Sequence, residues 1–448
     1  MNCRGDSVGD EDVRLFHEVF PFDSPPRIAG GRLSTYLKPD SIRLTDTTLR
    51  DGQQGWRNFT LDECLRIYEV LNELGGRGAI VSTELFLYTP KDREVAKRIL
   101  ELGYEYPKPL AWIRSALEDL RLVLDTRLDG VVVLTSISDY QIKFKLGITR
   151  SKAFDKYLMV IEEALKRGIE VTATLEDATR ADLSTNIVPF VNKLMKLSSK
   201  YGLPIRVKID DTLGVGLPFP EVPPPRGVPS LIRAVIEECG VPNEWVEFHG
   251  HNDLGLAVAN HLAAWVYGAS LSNCTLLGIG ERAGNCPLEV MLIHYVGIRG
   301  NDGTANLKAI PKVASLMKSM GLKIPEFYPL VGENAFKTKA GINIDGLLKN
   351  PEVYLPFNPE EVLGVPYTVA ITPYSGRVAV ALWINAHIGR LVSGNGFRVS
   401  KDDPRVKAVY WEIIRLFEKK QRKEPLTDEE MLKIVRKYFP LKETQVIK

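Results

Sequence analysis

The stretch Ser41-Ile42-Arg43-Leu44-Thr45-Asp46-Thr47-Thr48-Leu49-Arg50-Asp51-Gly52-Gln53-Gln54 decides how the rest of the chain is read. Its opening residues, Ile42 to Leu44, read as a short strand. From Thr45 onward, polar and ionisable side chains crowd the point where that strand stops. Such a cluster is a poor basis for a core and suggests a site. A second cluster stands far downstream, Glu247-Phe248-His249-Gly250-His251-Asn252-Asp253. Two His at alternate positions after an apolar run can aim both imidazoles at one point. With Asp51 they make a set suited to a divalent metal.

Working outward, strand-like runs recur at Ile42–Leu44, Ala79–Val81, Leu110–Ile113, Gly130–Leu134, Val171–Leu175, Ile205–Ile209, Trp245–Phe248 and Asn273–Leu277. Amphipathic stretches with helical spacing alternate with them: Leu61–Leu74, Asp92–Leu102, Ser115–Leu124, Ser151–Lys166, Ile187–Lys200, Ser230–Cys239, Leu254–Tyr267 and Leu288–Gly297. Strict strand–helix alternation implies a parallel sheet. Eight units at this spacing match a (β/α)8 TIM barrel, and an open doubly wound sheet is the runner-up. No G-x-G-x-x-G follows the first strand, which weakens a dinucleotide-binding reading.

A barrel carries its chemistry at the C-terminal ends of its strands. Polar residues fall at all eight of these ends. They are Arg50, Asp51 and Gln54; Glu84; Arg114; Ser136, Ser138 and Asp139; Glu176, Asp177, Thr179 and Arg180; Asp210, Asp211 and Thr212; His249 and His251; and Glu281, Arg282 and Asn285. Packing alone does not account for that pattern.

Flanking the barrel, residues 1–40 read as an extension with one short helix, Glu11–Val19, and a Pro- and Gly-rich linker, Pro21–Gly31. The barrel is expected over 41–305. Residues 306–448 read as a mostly helical C-terminal subdomain with helices at Ile310–Met320, Pro404–Lys420 and Asp428–Tyr438. A Gly-rich segment, Ala340–Gly346, lies between the first two. The 448 residues carry 44% hydrophobic and 25% charged side chains and a net charge of +2, which gives no argument for a nucleic-acid partner. Five Cys are scattered without a C-x-x-C pair, as in reduced, intracellular proteins. The longest apolar run, Val378–Ile384, is too short to span a bilayer, and a cytoplasmic protein with no membrane partner is expected.

Each candidate has a plainer alternative. A single His is usually structural, but the His249-x-His251 pair followed by Asn252-Asp253 favours ligation. Two imidazoles, the Asp51 carboxylate and the Asn285 amide oxygen would suit Mg²⁺, Mn²⁺, Co²⁺ or Zn²⁺ acting as a Lewis acid on a ketone oxygen. Arg50 forms a surface ion pair or binds a carboxylate or developing oxyanion. Arg180 and Arg114 are further candidates for a substrate carboxylate, Arg114 being as readily structural. Glu176 and Glu84 are each a base or an orienting group. Cys286 reads as a small buried residue.

The Thr45–Gln54 run, His249-x-His251 and Gly280-Glu281-Arg282-x-Gly284-Asn285 together resemble the DRE-type TIM-barrel metalloenzymes. That superfamily holds the 2-isopropylmalate, homocitrate, citramalate and Re-citrate synthases and HMG-CoA lyase, and the likeness spans about residues 41 to 385. It implies a metal set of Asp51, His249, His251 and Asn285, with Arg50 assisting the carbonyl oxygen and Thr212 on the 2-oxo acid carboxylate. The segments Glu84–Asp92, Ala111–Arg114, Leu134–Tyr140 and Ala340–Asn350 are most similar to the Re-citrate synthases. The resemblance therefore implies acetyl-CoA as co-substrate condensing with a 2-oxo acid, oxaloacetate first. It also implies a homodimer with subdomain exchange.

Two positions depart from the family pattern. Asn343 stands where the synthases usually carry His in the subdomain, and Gln141 where they carry His after strand 4. Asn is no general base near neutral pH. Glu176 with Tyr354, which matches a tyrosine that partners that His, is the expected proton-transfer pair. A metal-dependent lyase or aldolase, and a non-catalytic homologue that binds a 2-oxo acid, are the rival readings. The Cys-containing loop of the lyase is not evident in the chain.

Overall fold

The computed structural model describes residues 14–28, 35–388, 398–420, 422 and 424–439. Eight parallel strands close into a barrel in sequence order: β1 (Arg43–Asp46), β2 (Ile80–Leu85), β3 (Lys108–Arg114), β4 (Gly130–Ser136), β5 (Glu170–Glu176), β6 (Ile205–Asp211), β7 (Val246–Gly250) and β8 (Leu271–Cys274). The first strand pairs in parallel with the last, Leu44 facing Ser272, so the sheet has no edge. This is the TIM barrel expected from the alternation. Most strands reach further toward their C-terminal ends than their apolar runs, taking in Asp46, Glu84, Arg114, Glu176, Asp211 and His249. The last strand instead lies earlier than expected, because the chain after Cys274 turns at Leu276–Gly278.

Helices separate the strands, at Leu61–Gly75, Pro90–Leu102, Leu117–Thr126, Arg150–Lys166, Val188–Tyr201, Val228–Glu237, Ala257–Val266 and Leu288–Arg299. Their starts follow from capping chemistry. Thr60 accepts from the Glu63 amide while Glu63 reaches back to the Thr60 amide, and Thr89 and Asp92 repeat the device. Each helix lays its apolar stripe on the outside of the barrel; Ile67, Leu71 and Leu74 of the first are fully buried.

By its contacts the chain divides into two compact units, Arg27–Leu322 and a second formed by Met1–Pro26 with Lys323–Lys448. The helix Ile310–Ser319 goes with the barrel. Asn306 N–H donates to the Leu74 carbonyl at 2.7 Å, and Lys312 pairs with Glu73. In the second unit the described N-terminal residues are tied to the later chain, with Asn358 N–H on the Phe22 carbonyl at 2.6 Å and His17 Nε2 3.0 Å from Glu352. The core of this unit gathers Trp383, Ile384, Val409, Ile413 and Met431 from the helices Arg377–His387, Pro404–Lys420 and Asp428–Val435.

Two local expectations differ, and one segment gains an element. Of the short helix at Glu11–Val19, residues 11–13 lie outside the described residues, and 14–19 form only irregular chain and a turn. The Gly-rich segment at 340–346, given no element from the sequence, opens a helix, Gly341–Lys349. Its apolar residues Ile344 and Leu347 are buried three apart on one face, and that burial outweighs the helix-weakening effect of glycine. The last helix stops at Val435, short of Tyr438.

Candidate active site

After β1 the chain does not enter an ordinary helix. The Thr47 carbonyl accepts from the amides of Arg50 (3.2 Å), Asp51 (2.8 Å) and Gly52 (3.2 Å), a widened π-type turn over Thr48–Gly52. Such turns re-aim side chains at functional sites. Here the turn buries Arg50 and Asp51 side by side, with Arg50 Nη1 2.9 Å from Asp51 Oδ1. The turn is pressed against the loop after β8. A Cβ on Gly55 would stand 2.0 Å from the Gly280 carbonyl carbon, and one on Gly280 would stand 2.4 Å from Asn285 Oδ1. Only glycine permits this approach of the two backbones.

Asp51, His249 and His251 bring one donor atom each to within 4.8 Å of one another, and all three are buried. Nε2 of His251 lies 3.7 Å and Nε2 of His249 4.0 Å from Asp51 Oδ2. Donors bound at about 2.1 Å to one ion would sit roughly 3–3.4 Å apart, so a small inward shift completes the set.

The neighbours fix the chemistry of each donor. Asn273 Nδ2 donates to Thr45 Oγ1 at 2.9 Å and faces the Glu84 carboxylate, so its Oδ1 is turned to His249 Nδ1 at 2.8 Å. Nδ1 of His249 is therefore the protonated nitrogen and Nε2 keeps its lone pair. Burial, reinforced by His251, Lys208 and Arg50, pushes the His249 imidazolium well below its ordinary range. Burial also lowers His251, against the opposing pull of Asp51. Asn285 Nδ2 donates to Asp51 Oδ2 at 2.6 Å, which leaves Asn285 Oδ1 buried with no protein partner. His251 Nδ1 is likewise buried and unpartnered. A bare amide oxygen beside two neutral imidazoles and a carboxylate fits a cation.

Behind this cluster lies a charged layer inside the barrel. Glu84 accepts from Thr47 Oγ1 (2.8 Å), Arg50 Nε (3.1 Å) and Lys208 Nζ (2.5 Å). β2 and β6 are not neighbours, so the Lys208–Glu84 pair crosses the barrel interior. Burial opposes ionisation of Glu84, but Lys208 and Arg50 outweigh it and hold the carboxyl below its usual range. Asp210 is pushed by burial up to about 7, with Lys208 and Arg50 pulling the other way. Arg50 also lies over the Trp112 ring at 5.3 Å.

The remaining expected residues fall into different settings. Thr212 Oγ1 accepts the Asp177 amide at 2.8 Å, which leaves its own proton free to donate. Glu176 at the end of β5 is gripped by Lys145 Nζ at 2.7 Å to both oxygens and by the Ser136 hydroxyl. Arg180 is held by Asp177 at 2.8 Å and lies over Tyr140 at 4.4 Å. Gln54 is exposed. Arg114 is exposed and forked onto Asp119 at 2.8 and 2.9 Å, so its guanidinium is already engaged by a carboxylate at the strand mouth. Tyr354 belongs to the second unit, where it is exposed and lines a cavity of about 370 Å³ with Phe327, Tyr328, Phe336 and Leu355.

Sequence reasoning missed Lys208, Lys145 and Asn273. Lys208 lies inside the apolar run Ile205–Ile209, away from the strand end where polar residues mark a site, and only closure of the barrel makes its face the interior. Among the described residues no helix is long and apolar enough to cross a membrane.

The comparisons agree with this architecture. The HMGL-like family matches residues 41–317, and the homocitrate synthase post-HMGL domain-like family matches 330–389. The chain is 42% identical over 401 residues to the citrate (Re)-synthase of Clostridium kluyveri, covering 89% of this chain and 88% of that one. It is 36% identical to the 2-phosphinomethylmalate synthase of Streptomyces hygroscopicus, covering 89% and 90%. The hydroxymethylglutaryl-CoA lyase of Pseudomonas aeruginosa shares the fold, with a TM-score of 0.51 and 19% identity over 63% of this chain and 94% of that one. With a family match across the whole barrel and full-length relatives of this kind, the chain belongs to the HMGL-like family of the DRE-type TIM-barrel superfamily.

Proposed function

We propose that the chain is a divalent-metal-dependent synthase that condenses acetyl-CoA with a 2-oxo acid, oxaloacetate being the acceptor and citrate the product. The observation that carries this reading is the likeness to a citrate (Re)-synthase over 89% of the chain. The buried Asp51–His249–His251 cluster supports it.

Asp51, His249 and His251 would hold the ion (Mn²⁺, Mg²⁺, Co²⁺ or Zn²⁺), and Asn285 would add its bare Oδ1. When bound, the ion supplies Lewis acidity to the ketone oxygen of the acceptor. Arg50 presents a permanent cation beside that oxygen, held in place by Asp51 and Glu84, and stabilises the charge that develops there. The Thr212 hydroxyl and Arg180 are assigned to the acid's carboxylates, with Gln54 at the rim. Glu84 acts through Arg50, whose angle it sets, and Arg114 is left a marginal role by its pairing with Asp119.

Enolisation needs a base that takes a proton from the acetyl methyl group. Glu176 with Tyr354 is the assigned pair. Asp210, raised to about 7, is a second carboxyl able to exchange a proton near neutrality. The carbanion carbon then bonds to the ketone carbon, and water cleaves the thioester to release free CoA. The protein is proposed to work in the cytoplasm as a homodimer with exchanged subdomains.

A second reading is favoured by the 2-phosphinomethylmalate synthase, matched over the same share of the chain: a condensing synthase with another acceptor. Thiol release separates the two. Incubated with Mn²⁺, acetyl-CoA and single 2-oxo acids, the protein is expected to release CoA with oxaloacetate and to form a product of citrate mass. Release only with 2-oxoisovalerate, 2-oxoglutarate or pyruvate moves the acceptor. No release with any acid overturns the synthase assignment.

A further inference from the structure

A second group of metal-competent side chains lies behind the first. Cys274 ends β8, Cys286 follows Asn285 in the next loop, and His261 sits on the helix Ala257–Val266. Each brings a donor atom to within 4.8 Å of the others, and all three residues have 0% exposure. Nδ1 is the nitrogen turned to the group: it lies 3.9 Å from Cys274 Sγ and 2.6 Å from Ser272 Oγ. Ser272 Oγ in turn is 3.4 Å from Cys274 Sγ. Nε2 points the other way, 3.4 Å from where a Cβ on Gly250 would stand, and is buried without a partner.

Packing alone would fill this position with apolar side chains. Instead a helix, a strand end and the loop after it deliver two thiols, an imidazole and a hydroxyl to one buried spot. Around a tetrahedral Zn²⁺, with bonds of about 2.3 Å to sulfur and 2.0–2.1 Å to nitrogen, sulfur and nitrogen stand roughly 3.6 Å apart. The observed 3.9 Å is within a few tenths of an ångström of that. The donors are softer than those of the Asp51 cluster and select a thiophilic ion.

We propose that His261 Nδ1, Cys274 Sγ and Cys286 Sγ, with Ser272 Oγ swung off the imidazole as fourth donor, form a buried structural zinc site. Both thiols lose their protons to solvent as the ion binds, and the ring proton stays on Nε2. Cys274 adjoins Asn273, which orients His249, and Cys286 adjoins Asn285. The ion therefore braces the two segments that carry one wall of the Asp51 cluster. It takes no part in the chemistry.

The test counts metal in a background that lacks the other site. The full chain carrying His249→Ala, purified from zinc-supplemented medium and desalted, is expected to retain about one zinc per chain by elemental mass spectrometry. Adding Cys274→Ser or Cys286→Ser is expected to remove it. The same His249→Ala protein grown with cobalt should show thiolate-to-cobalt charge-transfer absorption, and this measurement stands even if the serine variants fail to fold. Absence of both the zinc and the charge-transfer band overturns the proposal. So does zinc that persists unchanged in both folded serine variants.

Discussion

At the scale of single residues, the Asp51 cluster is governed by which hydrogen-bonding groups have partners. His249 is buried, neutral and oriented by Asn273, so its lone pair is directed inward before any ligand arrives. His249→Ala should abolish metal binding at this cluster, read by calorimetry with Mn²⁺; retention of stoichiometric Mn²⁺ would show the ligand set to be wrong. Asn273 touches no ion, yet Asn273→Ala frees the ring and its tautomer. Metal affinity should fall about 10–100-fold, with the fold intact by circular dichroism; an unchanged affinity would remove Asn273 from the site. Asp51, His249 and His251 are legible in the sequence because ligand chemistry restricts residue type. Asn273 is not, because an amide in a strand serves many purposes and only the bond to Nδ1 reveals this one.

At the scale of elements, the barrel interior is polar where β1, β2, β6, β7 and β8 converge. Lys208 has 0% exposure and reaches across to Glu84, whose other oxygen binds Arg50. Removing one member leaves an uncompensated charge in a dry interior. Lys208→Met should therefore cost about 3–5 kcal/mol in urea unfolding. Glu84→Gln added to Lys208→Met should restore more than about 1 kcal/mol of that loss. Additive losses in the double variant would mean that the two side chains are not coupled. Strand positions are readable from their apolar alternation. The destination of the other face is not, since alternation is the same whether the polar side meets water or the inside of a closed barrel.

At the scale of the whole molecule, burial sets a pH dependence. Asp46 is fully buried, and its carboxyl is pushed up from 3.8 to about 7 by that burial, against bonds from Thr48 and Thr83. The folded chain thus keeps a proton that the unfolded chain releases. This contribution to stability is undiminished below the unfolded value of 3.8 and declines as pH rises toward about 7. Asp46→Asn should remove that decline. Its unfolding free energy should gain on the native protein by at most about 1.4 kcal/mol per pH unit across the window. A difference that stays constant between about pH 4 and pH 7 would refute the assignment. Light scattering should also give about twice the 50.1 kDa of one chain, and a monomer at working concentration would end the exchanged-dimer proposal.

The barrel follows from the order of residues, because eight apolar strands alternating with amphipathic helices have few ways to bury both faces of a parallel sheet. The sequence also marked Asp51, His249, His251 and Asn285 as candidate ligands, since the demands of metal ligation narrow the choice of side chain, and a barrel places such chemistry at strand ends. Tertiary structure alone decided the rest. It turned Lys208 inward, forked Arg114 onto Asp119, fastened Glu176 to Lys145, and brought His261, Cys274 and Cys286 to one point. Lys208 and Glu84, like Lys145 and Glu176, come from different strands and loops, and the energies of all these pairings depend on distance and burial, which exist only once the strands have closed.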